Sequence, residues 1–219
     1  MKAINYSSAG EMKLVGGRLF LDFTNTVGGR KSTSGSKGSA DAIVLRDKLK
    51  DYSDLVAWSQ HTGIITETEA QRLIADSKRR GTEAAIVLER AIGLREALYQ
   101  ICGAILNGRQ PEVAHLAVLN GELLEARRHQ RLMHAAGGFK LEWVDSKGAL
   151  DRLLWPVVRS AAEFLTRGDL SRLRLCVGED CSWFFEDTSR NKSRQWCDMQ
   201  ACGNLAKVRR FRTRLRSAR

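Results

Sequence analysis

The chain is poor in several residue types, and each scarcity excludes something. Two prolines in 219 residues leave long unbroken helices open to it. No run of eighteen apolar residues occurs, so a membrane-spanning helix is excluded. The N-terminal stretch MKAINYSSAGEMK has no apolar core of the secretory kind, so a cytoplasmic location is expected. The four histidines, His61, His115, His129 and His134, are scattered. The nearest two are five apart rather than at the helical metal-binding spacing of four. The GRKST at residues 29–33 superficially suggests a phosphate loop. It lacks a glycine directly before Lys31 and another five residues further back, so that reading fails. No paired acid and base or nucleophile constellation replaces it, and the chain is not expected to be an enzyme.

Acid is missing most sharply at the end. Residues 203–219 contain seven Lys/Arg and no Asp or Glu. The whole chain carries +11, and residues 171–219 account for more than half of it, with twelve basic against five acidic residues. A cation concentrated in one segment points to a polyanionic partner, nucleic acid first and an anionic membrane second. With 43% hydrophobic residues the remainder is long enough and apolar enough to bury a core without disulfides.

Periodicity predicts a mainly α protein. Residues 18–24, within LVGGRLFLDFTNTV, alternate in part and suggest a strand. Asp22, Asn25 and Thr26 stand at its polar end, either as contacts for a small-molecule effector or as a buried hydrogen-bond network. Residues 28–40 are rich in Gly, Ser and Lys and suggest a flexible loop. Asp51 can cap a helix over 52–60. Thr66 and Glu69 form a capping box for a helix over 67–79, and Thr82 opens a long helix to Leu106. Pro111 suits the first position of a helix running to about Ala135. Residues 139–144 alternate as a strand, and a final body helix over 147–167 should be kinked by Pro156. Cys102, among Ile101, Ala104 and Ile105, is expected to be buried and inert.

The other four cysteines, Cys176, Cys181, Cys197 and Cys202, have the spacing C-x4-C-x15-C-x4-C. Two thiolate pairs separated by a hairpin-length insert suit one structural zinc ion; two disulfides or an iron site are the alternatives. Residues 182–186 suggest a strand and 187–191 a turn, with 194–196 leading back to the second pair. The order of knuckle, hairpin and helix suggests a treble clef. Beyond it, Val208, Phe211 and Leu215 share one helical face, expected to pack on Trp183 or Phe185. Lys207, Arg210 and Arg214 line one flank of that face, and Arg209, Arg212 and Arg216 line the other.

Trp196-Cys197, Cys202-Gly203-Asn204 and Lys207, together with Trp183-Phe184-Phe185 and residues 187–191 (DTSRN), resemble the CGNR zinc-finger family. Residues 19–27 (LFLDFTNTV) resemble the opening of the ABATE domain that usually precedes this finger. Leu205 stands where the signature has Arg. The resemblance implies a mostly helical N-terminal domain with a small β element over residues 1–168 and a zinc finger over 169–219. It further implies a stress-responsive transcription regulator of the bacterial cytoplasm, one that is nucleoid-associated if it binds DNA. Arg190, Lys192, Arg194, Lys207, Arg209, Arg210, Arg212, Arg214 and Arg216 are the candidate contacts to double-stranded DNA, with RNA as the alternative polymer. A homodimer and an effector bound near Asp22 and Asn25 are further expectations.

Overall fold

A computed structural model describes residues 8–31, 43–144, 148–179 and 181–217. Among these residues the chain is mainly helical, with three small antiparallel strand pairs. The first surprise is local. Residues Leu19–Thr24 form a short helix, α1, where alternation suggested a strand. Phe20, Leu21 and Phe23 are all buried, so no polar face exists to support a two-residue period. A short apolar run is ambiguous between strand and helix, and burial on every side decides it. The strands Arg30–Lys31 (β1) and Ile43–Val44 (β2) pair at the base of the Gly/Ser/Lys-rich segment, most of which lies outside the described residues.

Helices α2 (Tyr52–His61), α3 (Glu67–Arg79) and α4 (Gly81–Leu106) follow the sequence reading closely. The reason is the strength of their punctuation. Asp51 accepts from the Asp54 N–H at 3.0 Å, and the Thr66–Glu69 capping box is formed in both directions. Helix α5 (Val113–Arg128) ends earlier than expected. Residues Gln130–Ala135 instead form β3, paired with β4 (Gly138–Trp143) through a tight turn in which Gly137 takes φ +88°. A glycine turn between two alternating segments is a hairpin signal, and it overrides the continuing helical propensity. His129 closes α5 and stacks on Trp155 with ring centroids 4.1 Å apart.

The expected kink at Pro156 is absent. A 3-10 turn at Leu150–Leu153 precedes α6 (Trp155–Arg167), and Pro156 sits in the first turn of α6, where its missing N–H costs nothing. Residues 145–147, where the helix was expected to start, include no described position. The core gathers Trp58, Trp155, Phe20, Phe23 and Phe164 from this helical body and continues without a break into Phe184 and Phe185 near the chain's end. Two buried arginines, each paired with a partly exposed carboxylate, brace it. Arg95, 1% exposed at its side chain, holds Asp47 with two bonds of 2.7 Å, and Arg30 holds Glu96 at 2.6 and 2.8 Å. Cys102 is buried as expected, and burial pushes its thiol up to about 12.

Candidate metal centre and basic helix

The C-terminal module is built around a hairpin, but not the one expected. The strand Phe184–Glu186 (β6) does not fold back on residues 194–196. It pairs with Leu173–Leu175 (β5), which lies before the first cysteine. The knuckle from Cys176 to Cys181 is therefore the tip of this hairpin, closed by the Cys176 N–H donating to the Trp183 carbonyl at 2.9 Å. The return segment joins through the Val177 N–H, which donates to Gln195 O at 3.1 Å. Cys197 follows, and Cys202 lies in a π-helical turn, Met199–Gly203, that runs into α7 (Asn204–Ser217). Asp198 caps that turn, its carboxylate accepting from Gln200 and Ala201 N–H groups at 2.8 and 3.3 Å.

The four sulfurs lie within 4.8 Å of one another and all four residues are buried. Tetrahedral Zn–S bonds of about 2.3 Å require sulfur–sulfur edges of roughly 3.8 Å. The Cys181–Cys197 and Cys197–Cys202 separations are both 3.6 Å, so the donor set fits one zinc ion. Four protein thiolates would saturate it, leaving no open position for a substrate; the site is structural in kind. The Cys197 N–H donates to Cys176 Sγ at 3.4 Å, and Gly178 is crowded against the site. A Cβ there would lie 3.3 Å from Cys181 Cβ and 3.4 Å from Cys202 Sγ. Hydrogen bonds from the other three thiols hold Cys176 far below the ordinary thiol range. The same bonds to Cys176, with burial, push Cys181 and Cys197 far above it. A divalent cation is what would allow all four thiols to ionise together.

The module is welded to the helical body along the free edge of β6. Residues 183 and 187 of that chain segment turn their backbone toward β5, so Phe184 and Glu186 turn theirs away. Asn25, 1% exposed, meets Phe184 with both ends of its amide: Oδ1 accepts the Phe184 N–H at 2.9 Å and Nδ2 donates to the Phe184 carbonyl at 2.8 Å. Gly16 O accepts the Glu186 N–H at 2.8 Å, and Arg18 grips the Glu186 carboxylate at 2.6 and 3.1 Å. Trp183 donates its indole N–H to Val27 O at 2.7 Å. The N-terminal segment thus supplies piecemeal what a third strand would. Asp22 belongs to the same arrangement: its Oδ1 accepts the Gly16 N–H at 2.8 Å, and burial pushes its carboxyl up to about 6. These contacts place Asp22 and Asn25 in a buried network, the second of the two roles open from sequence.

The candidate nucleic-acid contacts divide three ways. Arg190, Lys207, Arg210, Arg212 and Arg214 are exposed, whereas Arg209 is half-buried and pairs with Glu179 at 2.5 Å. Lys192, at φ +50°, reaches back to Asp169 and Ser171. Arg194 is turned inward: its guanidinium lies 4.3 Å from the Phe185 ring centroid and donates to the carbonyls of Trp196, Cys197 and Val15. The Arg216 side chain is outside the described residues. Val208 and Phe211, expected to pack on Trp183 or Phe185, keep much of their surface in solvent. They are 46% and 63% exposed, whereas Trp183 and Phe185 are buried. Two structural residues escaped the sequence reading: Asp198, and Asp187, whose buried carboxylate accepts the Ser189 and Arg194 N–H groups at 2.9 Å and shapes the intervening loop. A capping aspartate ahead of each turn was the available signal.

Helical body, knuckle, hairpin and cysteine-bearing helix together define a mainly α protein carrying a four-cysteine zinc finger. Residues 17–168 match the ABATE family, described as "Putative stress-induced transcription regulator", and residues 172–215 match the CGNR zinc finger. The chain belongs to the ABATE family and ends in a CGNR zinc finger. No curated protein matches it.

Proposed function

We propose that the chain is a zinc-dependent, DNA-binding transcription regulator in which the metal fixes the root of α7 and α7 contacts the duplex. The observation that carries this reading is the pairing of a buried four-cysteine site with a helix whose exposed cations lie on both flanks. No acid occurs from residue 203 onward to oppose phosphate. Five exposed cations, Arg190, Lys207, Arg210, Arg212 and Arg214, are available to replace counterions. The body over residues 1–168 is the regulatory part in this reading. A signal received there has a short route to the finger, through Asn25, Arg18 and Val27.

The test is binding of the zinc-loaded protein to duplex DNA across a salt series. Five phosphate contacts predict a log–log slope of roughly −4 to −5. Replacing Arg210, Arg212 and Arg214 with Ala should flatten the slope by about three contacts' worth. Cys197→Ser should abolish zinc retention and binding together. Absence of duplex binding by the metal-loaded protein at low salt would refute the proposal, and tighter binding to structured RNA would reassign the polymer.

A further inference from the structure

The exposed apolar residues of α7 remain unexplained by phosphate attraction. Val208 and Phe211 are 46% and 63% exposed, and the helix's main neighbour is the turn that precedes it. Three residues apart, they lie about 60° from each other around the helix. Lys207 and Arg214 border them on the Phe211 side, and Arg212 and Arg209 on the Val208 side. Leu205, also exposed, lies between those last two cations and widens the apolar surface at the point where the family signature has an arginine. The resulting cross-section is an apolar centre edged by the exposed cations Lys207 and Arg214 on one side and Arg212 on the other, with Arg209 beyond it paired to Glu179.

The section matches a groove of duplex DNA, whose two walls are phosphate and whose floor is base edges. The major groove is about 12 Å wide and accepts a helix of about 10–12 Å, and the apolar element on its floor is the thymine methyl group.

We infer that Val208 and Phe211 are base-contacting residues: α7 lies in the major groove with its exposed flanking cations toward the two phosphate walls and its apolar centre on thymine methyl groups. This rests on the DNA-binding reading above and adds to it the side chains that sense sequence. The cations supply affinity that is indifferent to sequence, and the apolar pair supplies discrimination.

The experiment compares the zinc-loaded full-length protein on two duplexes, one of alternating A·T pairs and the same duplex with uracil replacing thymine. The methyl group is the sole difference between them. Fluorescence anisotropy should show weaker binding to the uracil duplex by about fourfold for each methyl contacted, at an unchanged salt slope. A Val208→Ser/Phe211→Ser variant should bind both duplexes equally, with the wild-type slope. Both positions are exposed, so the variant should keep its zinc and its helical content, which metal analysis and circular dichroism establish. Equal binding of the two duplexes by the wild type overturns the inference while leaving DNA binding intact. So does discrimination that survives in the double variant. Binding to neither duplex removes the DNA reading itself. Binding to phosphatidylserine vesicles that depends on Val208 and Phe211, without methyl discrimination, would overturn the inference in favour of a membrane surface.

Discussion

Asn25 ties the finger to the body at the edge of β6. It is buried, and it satisfies both the N–H and the carbonyl of Phe184, a residue with no exposed surface. Asn25→Ala leaves those two backbone groups without partners. Each stranded buried group costs about 1–3 kcal/mol, so the variant should lose about 2–6 kcal/mol. For a domain of this size that corresponds to a fall in Tm of roughly 5–15 °C. Asn25→Asp separates hydrogen bonding from packing. It keeps the size of the side chain and still accepts from the Phe184 N–H, but sets a carboxylate oxygen against the Phe184 carbonyl. It should destabilise at least as much as Ala at neutral pH. Urea denaturation of the zinc-loaded proteins followed by tryptophan fluorescence measures the loss, and hydrogen exchange at the Phe184 amide reports it locally. A change below about 0.5 kcal/mol in Asn25→Ala, within the range of an ordinary surface substitution, would refute the reasoning. Tolerance of Asp but not Ala would show that packing, and not the amide pairing, holds the edge of β6.

Two further outcomes follow from buried charge. Burial raises the Asp22 carboxyl from 3.8 to about 6, so the native state binds the extra proton between those values and stability falls as pH rises through the window. The full effect is about 3 kcal/mol, of which about 2 lies between pH 4.5 and 7.5. Asp22→Asn keeps an oxygen for the Gly16 N–H and cannot ionise, so its stability relative to wild type should improve by that amount over the same interval; a pH-independent difference in denaturation midpoints would disprove it. Asp47→Ala leaves Arg95 buried without its principal partner and should cost about 3–5 kcal/mol, measured by the same denaturation. A loss under 1 kcal/mol would mean that Glu96, 3.1 Å from Arg95 Nε, suffices alone.

Where punctuation was strong, local sequence carried the structure. Asp51, Thr66 and Glu69 satisfy helix-end N–H groups within their own turn, so α2 and α3 need no distant partner to define their starts. The zinc site was legible for a similar reason: two cysteine pairs within twenty-seven residues form a short-range pattern. The basic helix was legible because charge of one sign in seventeen residues is visible without a fold. Three other features depended on what surrounds them. Residues 19–24 became a helix because the core closes on every side of them. Strand β6 chose β5 as its partner over the segment after the loop, because Asn25, Gly16 and Arg18 occupy its other edge. Arg194 and Arg210 are indistinguishable as letters. The fold turned Arg194 onto Phe185 and left Arg210 facing solvent. Sequence by itself determined the metal, the charge and the helices with strong caps, since those follow from side-chain chemistry at short range. Tertiary structure alone decided which edges pair and which cations and apolar residues remain outside, since those depend on surfaces that other parts of the chain supply.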